Sequence, residues 1–259
     1  MKRTNTLIVA ALTLGLAAGC SRGEDAAQKR TPPPDAKRVD ASKAGAVTGR
    51  VMIDGPVPPN PPISMSSDPV CLREHKNDAT AETFVSENGG LGNVFVYLKD
   101  GLGDYYFDTP SDPVRLDQKG CHYVPHVFGV QVGQNLEIMN SDPTLHTIHA
   151  LPSTNPEFNF SQPIKGQKDA KFFSKPEVMV RFRCNIHTWM SAYAGVLEHP
   201  YFAVSKPAGE FEMKNVPAGT YTMEAWHEKL GTQTQSVVLA ENEKTDVTFT
   251  FSAPPATVP

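Results

Sequence analysis

Three observations predict an all-β protein. Apolar residues alternate with others at period two along short stretches, as at Val47, Gly49, Val51 and Ile53, and again at Val178, Val180, Phe182 and Cys184. The 23 prolines and 19 glycines suit many short strands joined by turns. No stretch reads as a long amphipathic helix. At 259 residues, with 39% hydrophobic content, the chain is long enough for two domains with real cores. A formal net charge of -4 argues against a general nucleic-acid binder.

The N-terminus comes first. Lys2 and Arg3 precede an apolar run from Leu7 to Ala18, then Gly19 and Cys20, which reads as a secretory signal. The run is too short to span a bilayer. Its end, Leu16-Ala-Ala-Gly-Cys20, resembles a bacterial lipobox. The resemblance implies that residues 1–20 are a lipoprotein signal peptide and that Cys20 is acylated. The folded part would then be anchored to a bacterial membrane, facing the periplasm or the cell surface. Residues 21–45, rich in Lys, Asp, Ala and Pro with Pro32-Pro33-Pro34, read as a disordered tether.

Residues 46–104 supply an alternating strand from Val47 to Ile53 and an apolar run from Asn93 to Leu98, which fits a strand covered on both faces. Residues 201–253 supply Phe202-Ala-Val-Ser205, Gly209-Glu-Phe211, Val216-Pro-Ala-Gly219-Thr-Tyr221 and a closing strand at Val247, Phe249 and Phe251. Together these two segments resemble the carboxypeptidase regulatory-like, transthyretin-like sandwich. The implied architecture is a smaller sandwich interrupted by residues 105–200, with 254–259 as a tail. The alternative is two tandem domains, with 46–120 an N-terminal extension of the domain formed by residues 105–200. Trp226-His227-Glu228-Lys229 reads either as a ligand-contact patch or as plain packing and solvated polarity.

Residues 105–200 carry the chemistry. Cys184-Asn-Ile-His187-Thr-Trp-Met190 follows the alternating strand, and His146 stands upstream after a loop from Ser141 to Leu145. A thiolate, two imidazoles and a thioether are the donors a copper electron-transfer site uses: one soft anion, two borderline nitrogens and a weak axial ligand. Zinc also takes Cys and His, but structural zinc sites usually pair their ligands closely and Met is not a typical zinc ligand. A Cys-His nucleophile pair is a further reading, with no orienting carboxylate or oxyanion loop evident nearby.

The pieces Tyr123-Val-Pro125, Val132-Gly133-Gln134, Asn140, His146-Thr-Ile-His149 and the Cys-x2-His-x2-Met loop resemble the cupredoxins, amicyanin and pseudoazurin types above all. The resemblance covers roughly residues 121 to 197. It implies a Greek-key sandwich with one type 1 copper held by His146, Cys184, His187 and axial Met190, and Asn140 bracing the ligand loop by hydrogen bonds. Between His149 and Lys171 an obvious strand is missing. His187 is expected at the exposed edge of the site, beside a docking surface of Trp189 and Tyr193. The expected role is an electron carrier, not an enzyme, working with a redox protein such as a c-type cytochrome. The alternatives are a carbohydrate- or protein-binding sandwich module that carries a copper domain, and copper storage or delivery. With Cys20 lipidated and Cys184 on the metal, Cys71 and Cys121 remain, and in an oxidising compartment they are expected to pair. Two free thiols, or a second metal site at Cys121-His122 with His126, are the competing readings.

Overall fold

The computed structural model describes residues 31–75 and 79–255. Strand β1 (Gly45–Asp54) opens the first sheet, and a single short helix, α1 (Pro69–His75), follows. Next come β2 (Ser86–Glu87), β3 (Gly90–Leu91), β4 (Phe95–Asp100), β5 (Val114–Lys119), β6 (His122–Val124), β7 (Val127–Gln131), β8 (Leu136–Asn140) and β9 (His146–Leu151). The chain continues with β10 (Phe158–Gln162), β11 (Lys168–Lys171), β12 (Glu177–Arg183), β13 (Ser191–Leu197), β14 (Phe202–Val204), β15 (Glu210–Val216), β16 (Gly219–His227), β17 (Gly231–Leu239) and β18 (Lys244–Ser252). The all-β expectation holds.

The strands form four sheets in two sandwiches. The inner sandwich stacks β10-β9-β12-β13-β7 on β11-β8-β5-β6. The outer sandwich has one sheet ordered β15-β1-β3-β2, with β18 also on β1, and a second ordered β14-β4-β16-β17. Strand β1 pairs antiparallel with β15 and parallel with β18, while β4 pairs with β14 and β16. Strands from before and after the inner sandwich thus share ladders. The chain leaves the outer sandwich after β4 and re-enters it at β14.

Period two explains which side chains meet. In β1, Val47, Val51 and Ile53 face the outer core, where Val247, Phe249 and Phe251 of β18 meet them. In β12, Val180 and Phe182 face the inner core and Cys184 continues that face. The segment between His149 and Lys171 holds two strands, β10 and β11. Both expose alternate residues, and such half-polar edge strands carry little hydrophobic signal.

A glycine slot joins the sandwiches. Gly129 of β7 and Gly195 of β13 sit side by side in parallel register. A Cβ on Gly195 would lie 2.2 Å from the ring of Phe95, and one on Gly129 would lie 2.1 Å from the ring of Phe202. The two phenyl rings, from β4 and β14, stack on each other at 5.6 Å. Beside them His126 Nε2 faces Glu228 Oε1 at 2.7 Å, Tyr193 donates to Glu228 Oε2 at 3.2 Å, and Tyr193 packs on Trp226 at 5.0 Å. His227 is buried against the Thr83 carbonyl at 3.0 Å. The Trp226-His227-Glu228 stretch therefore belongs to packing between the sandwiches, not to an open ligand patch.

Three boundaries differ from the sequence expectation. Met65, Cys71 and Ala79, expected in the outer sandwich, are buried in the inner core. Ile63, Met65, Cys71 and Ala79 belong to a flap over the inner sandwich, because they find their partners there, whereas Phe84 packs on the outer core. Phe107 packs against the outer core and Tyr201, so the inner sandwich begins nearer β5 than residue 105. Part of the expected tether is docked: Tyr106 N–H donates to Lys37 O at 2.9 Å, and Arg38 pairs with Asp108 at 2.5 Å. Lys37 lies 4.0 Å over the Tyr105 ring. Cation–aromatic contacts supply an anchor that composition alone does not show. The expected signal peptide with Cys20, and residues 21–30 and 256–259, lie outside the described residues.

Candidate metal centre

The site lies at one end of the inner sandwich, where three loops leave the sheets. Strand β12 delivers Cys184 buried at its end. The chain then turns tightly: Met190 N–H donates to His187 O at 2.9 Å, and Cys184 N–H to Met190 O at 3.3 Å. That closure keeps Cys184, His187 and Met190 together, all almost fully buried. His146 opens β9 after the 141–145 loop and is also fully buried. Asn140 braces that loop. Its amide donates to Thr144 O at 2.9 Å and to Gln162 O at 2.8 Å, and its oxygen accepts Asp142 N–H at 2.9 Å.

Donor atoms of His146, Cys184 and His187 all lie within 4.8 Å of one another. The two Nδ1 atoms face each other at 2.9 Å, and His187 Nδ1 is 3.9 Å from the sulfur. The opposite nitrogens fix the tautomers. His146 Nε2 faces Asp142 Oδ2 at 3.0 Å, and His187 Nε2 faces Asp68 Oδ2 at 3.0 Å. An ionised carboxylate only accepts, so each Nε2 carries hydrogen and donates. Each Nδ1 then turns a lone pair inward. Two lone pairs this close repel unless a proton or a cation sits between them, and with an adjacent thiolate the arrangement fits a thiophilic cation.

The carboxylates are held in turn. Residues 120 and 121 form the two-residue turn between β5 and β6, with φ of 61° at Gly120 and 57° at Cys121, as a type I′ turn requires. Both turn N–H groups donate to Asp142 at 2.8 Å. Asp68 caps α1, whose first residue is Pro69. Its Oδ1 accepts Val70 N–H at 2.7 Å and Cys71 N–H at 3.4 Å, while Oδ2 accepts the Thr144 hydroxyl at 2.7 Å.

Electrostatics follow from these contacts. Burial would raise the Cys184 thiol, but His146, His187 and the Thr147 hydroxyl outweigh it and pull it down to about 4. The backbone N–H of His187 donates to the sulfur at 3.3 Å and that of Thr147 at 3.4 Å. Burial would lift Asp68, yet Thr144, Val70, His187 and Cys71 bring it down to about 2. Burial works against Asp142 as well; His146 and the two turn N–H groups keep it below the usual range. Burial would lower His146, and Asp142 with Cys184 holds it above its ordinary value. Cys184 is thus a thiolate at neutral pH, ready as a metal ligand.

The structure places other expected residues differently. His187 is 1% exposed, not at an open edge, because Asp68 and the start of α1 cover it. Cys71 on α1 and Cys121 in the turn form a disulfide across that cover, with Cys71 Sγ 3.7 Å from His187 Nε2. Trp189 is half-buried, 5.1 Å from the His187 ring, and its indole N–H donates to Cys121 O at 3.0 Å. Tyr193 is half-buried between the sandwiches, packed on Trp226 and bonded to Glu228. The exposed apolar residues of the ligand loops are Leu145 and Ile186, each one position before a histidine of the site. His122 faces Glu82 and His126 faces Glu228, so the two do not converge on one site.

Sequence reasoning missed Asp68, Asp142 and the role of Thr147. The Thr147 hydroxyl lies 3.5 Å from the sulfur and accepts Asn185 N–H at 2.6 Å. Asp68-Pro69 before a short helical stretch is a capping signature, and Asp142 precedes His146 by four residues. Either could have been flagged locally, but the partner of Asp68 could not, since His187 lies 119 residues away.

No protein-family profile and no curated protein matches the sequence. Some solved structures do match in part. A copper-containing nitrite reductase from Thermus scotoductus SA-01 is 23% identical, with a TM-score of 0.31 over 36% of this chain. This chain spans about a quarter of that enzyme, 24% of its length. A methionine-to-alanine variant of amicyanin in the Cu(I) state is 19% identical, with a TM-score of 0.30 over 34% of this chain and 85% of that one. An oxidised proline-to-alanine variant of amicyanin is 20% identical, with a TM-score of 0.29 over 32% of this chain and 81% of that one. The overlap is confined to about a third of the chain, and the functional reading that follows rests on the site's own geometry.

Proposed function

We propose that this chain is an exported, lipid-anchored protein that holds one copper ion and carries single electrons between redox partners. The supporting observation is the convergence of the Cys184 thiolate with Nδ1 of His146 and His187, each imidazole oriented by a buried carboxylate. Met190, buried at the closure of the same loop, completes a soft, four-donor set drawn entirely from protein. Bound there, copper supplies a one-electron couple. The chain's own residues do the rest. Asp142 and Asp68 fix the ring orientations, the N–H groups of Thr147 and His187 stabilise the sulfur's charge, and the flap excludes water. Four protein donors leave little room for a substrate, which favours a carrier over an enzyme.

With His187 covered, contact with a small redox protein such as a c-type cytochrome is assigned to the edge carrying Leu145 and Ile186. Leu16-Ala-Ala-Gly-Cys20 supports export and acylation at Cys20, and the segment up to docked Lys37 gives the folded part reach from the membrane. The decisive experiment is absorption spectroscopy of the copper-loaded chain lacking residues 1–20. An intense thiolate-to-copper band, abolished in Cys184→Ser, is the expected result. Met190→Gln should keep the metal and shift the reduction potential. A band that survives Cys184→Ser refutes the ligand assignment, Cu(I)-only binding without the band points to storage or delivery, and no metal uptake points to a binding module.

A further inference from the structure

We propose that reduction of the Cys71–Cys121 disulfide turns the cover of the site into a second, thiolate-bearing metal site for a thiophilic d10 ion such as zinc or copper(I). The two cysteines lie 50 residues apart and join across the flap, and each brings its own set of donors. Single donor atoms of Asp68, Cys71 and His187 lie within 4.8 Å of one another, and so do those of Cys121, Asp142 and His146. The disulfide makes these two triads neighbours. Reduction would therefore leave two thiols side by side, each with a carboxylate close by, on the opposite side of the histidines from Cys184; His146 and His187 keep their Nε2 hydrogens on those carboxylates and are not counted as ligands. Thiolates with imidazole or carboxylate oxygen are the ligands that zinc-type ions take in four-coordinate sites.

The scaffold for this site is largely built. Asp142 is pinned by the Gly120 and Cys121 N–H groups, and Asp68 by Val70 and Cys71. Asp142 and the Cys121 turn are thus held by each other, and Asp68 at the start of α1 is tied to the ligand loop by the Thr144 hydroxyl, contacts that do not include the S–S bond. Cys71 and Cys121 are both fully buried, so the reductant reaches them when the seven-residue α1 opens locally. A dithiol reductant breaks the S–S bond by exchange: its two sulfurs become a disulfide, and its two electrons and two protons leave Cys71 and Cys121 as thiols. Binding one ion then forms two sulfur–metal bonds and releases those two protons to solvent.

The inference stands on the cysteine pair and is separable from the copper reading. Oxidised and dithiol-reduced protein, each freed of reagent without air, is titrated with cadmium as the probe. Bound metal is counted per chain after gel filtration, and free thiols are alkylated and mapped by peptide mass. Reduced protein should hold one cadmium ion more than oxidised protein. Bound cadmium should slow alkylation of both Cys71 and Cys121 by about tenfold or more, because a metal-held thiolate is a poor nucleophile. The double variant Cys71→Ser/Cys121→Ser should lose the extra ion. Equal metal content in the two redox forms, or equal alkylation with and without cadmium, overturns the proposal, and the alkylation arm decides even if the double variant fails to fold. An oxidised chain that takes no cadmium leaves the difference between the two forms as the measure of this site, and the copper reading is decided separately by its own absorption band.

Discussion

Asp142→Asn tests whether a carboxylate, and not the bare ligand set, organises the metal centre. Asp142 accepts three hydrogen bonds: Gly120 N–H and Cys121 N–H at 2.8 Å each, and His146 Nε2–H at 3.0 Å. Asparagine keeps one oxygen and places an NH2 group against donors, so at least one of the three bonds is lost and one contact becomes donor against donor. A buried donor left unsatisfied costs about 1–3 kcal/mol. For the metal, loss of a carboxylate behind a ligating imidazole lowers affinity by about 10- to 100-fold, equivalent to ~1.4–2.8 kcal/mol. Copper affinity by competition with a calibrated chelator measures the second effect, and denaturant unfolding of the metal-free chain measures the first.

The pH dependence of that variant is equally specific. Asp142 lies below its ordinary value in the folded state, so its contribution to stability is present above the unfolded carboxylate value and is lost as pH falls through the folded one. His146 is raised, so its contribution is present below the unfolded imidazole value and fades as pH rises through the folded one. The Asn variant should lose the acid-side dependence that Asp142 supplies and should flatten the His146 contribution, since the partner charge is gone. Copper affinity within about twofold of wild type, together with an unchanged unfolding midpoint across pH, would refute the role given to this carboxylate.

Other outcomes follow from the same contacts. Gly195→Ala forces a Cβ to within 2.2 Å of the Phe95 ring and should destabilise the protein by about 1–3 kcal/mol in thermal or denaturant unfolding, while leaving the copper spectrum unchanged. Glu228→Gln removes one of the carboxylate oxygens that His126 Nε2 and the Tyr193 hydroxyl face in a pair whose side chains are 7% and 8% exposed, and should cost about 1–3 kcal/mol. Burial alone would raise Glu228, but His126 and Tyr193 hold it low, so this contribution should vanish as pH falls through the folded Glu228 value; a pH-independent difference counts against it. Ile186→Glu should slow electron exchange with a cytochrome partner while the absorption band stays put, and an unaltered rate moves the contact edge elsewhere. Cys20→Ala should leave the protein unacylated and out of the membrane fraction; a wild-type chain recovered with a free, unmodified N-terminus rejects the anchor.

The sequence alone determined the strand class and pointed to the candidate donors, of which the fold brings His146, Cys184 and His187 together. Strand periodicity is local, so Val180, Phe182 and Cys184 declare their common face within a few residues. The run from Cys184 to Met190 is equally local, because a single tight loop must return three ligands to one point. His146 could be added because few donor types suit copper, and Cys71 with Cys121 because a chain that is expected to be exported leaves few other fates for two cysteines. The weakly apolar strands β10 and β11 were not legible, since edge strands gain their stability from pairing and not from a hydrophobic stripe. The docked residues near Lys37 were read as tether because a charged, Pro-rich composition does not reveal a tyrosine waiting near residue 105.

Only the tertiary structure decided what surrounds the donors. Asp68 reaches His187 across 119 residues, and nothing in either segment specifies the other. The exposed edge expected at His187 became a buried one for that reason: the flap carrying Asp68 and Cys71 has apolar residues of its own to bury, and it buries them over the metal centre. The glycine slot at Gly129 and Gly195 is of the same kind. Each glycine is unremarkable in its own strand, and its need for a missing side chain exists only once Phe95 and Phe202 arrive from the other sandwich. Donor chemistry is a property of residue types and short spacings. Burial, the Asp68 carboxylate and the neighbourhood of the disulfide are properties of segments far apart in the chain, and only packing brings those together.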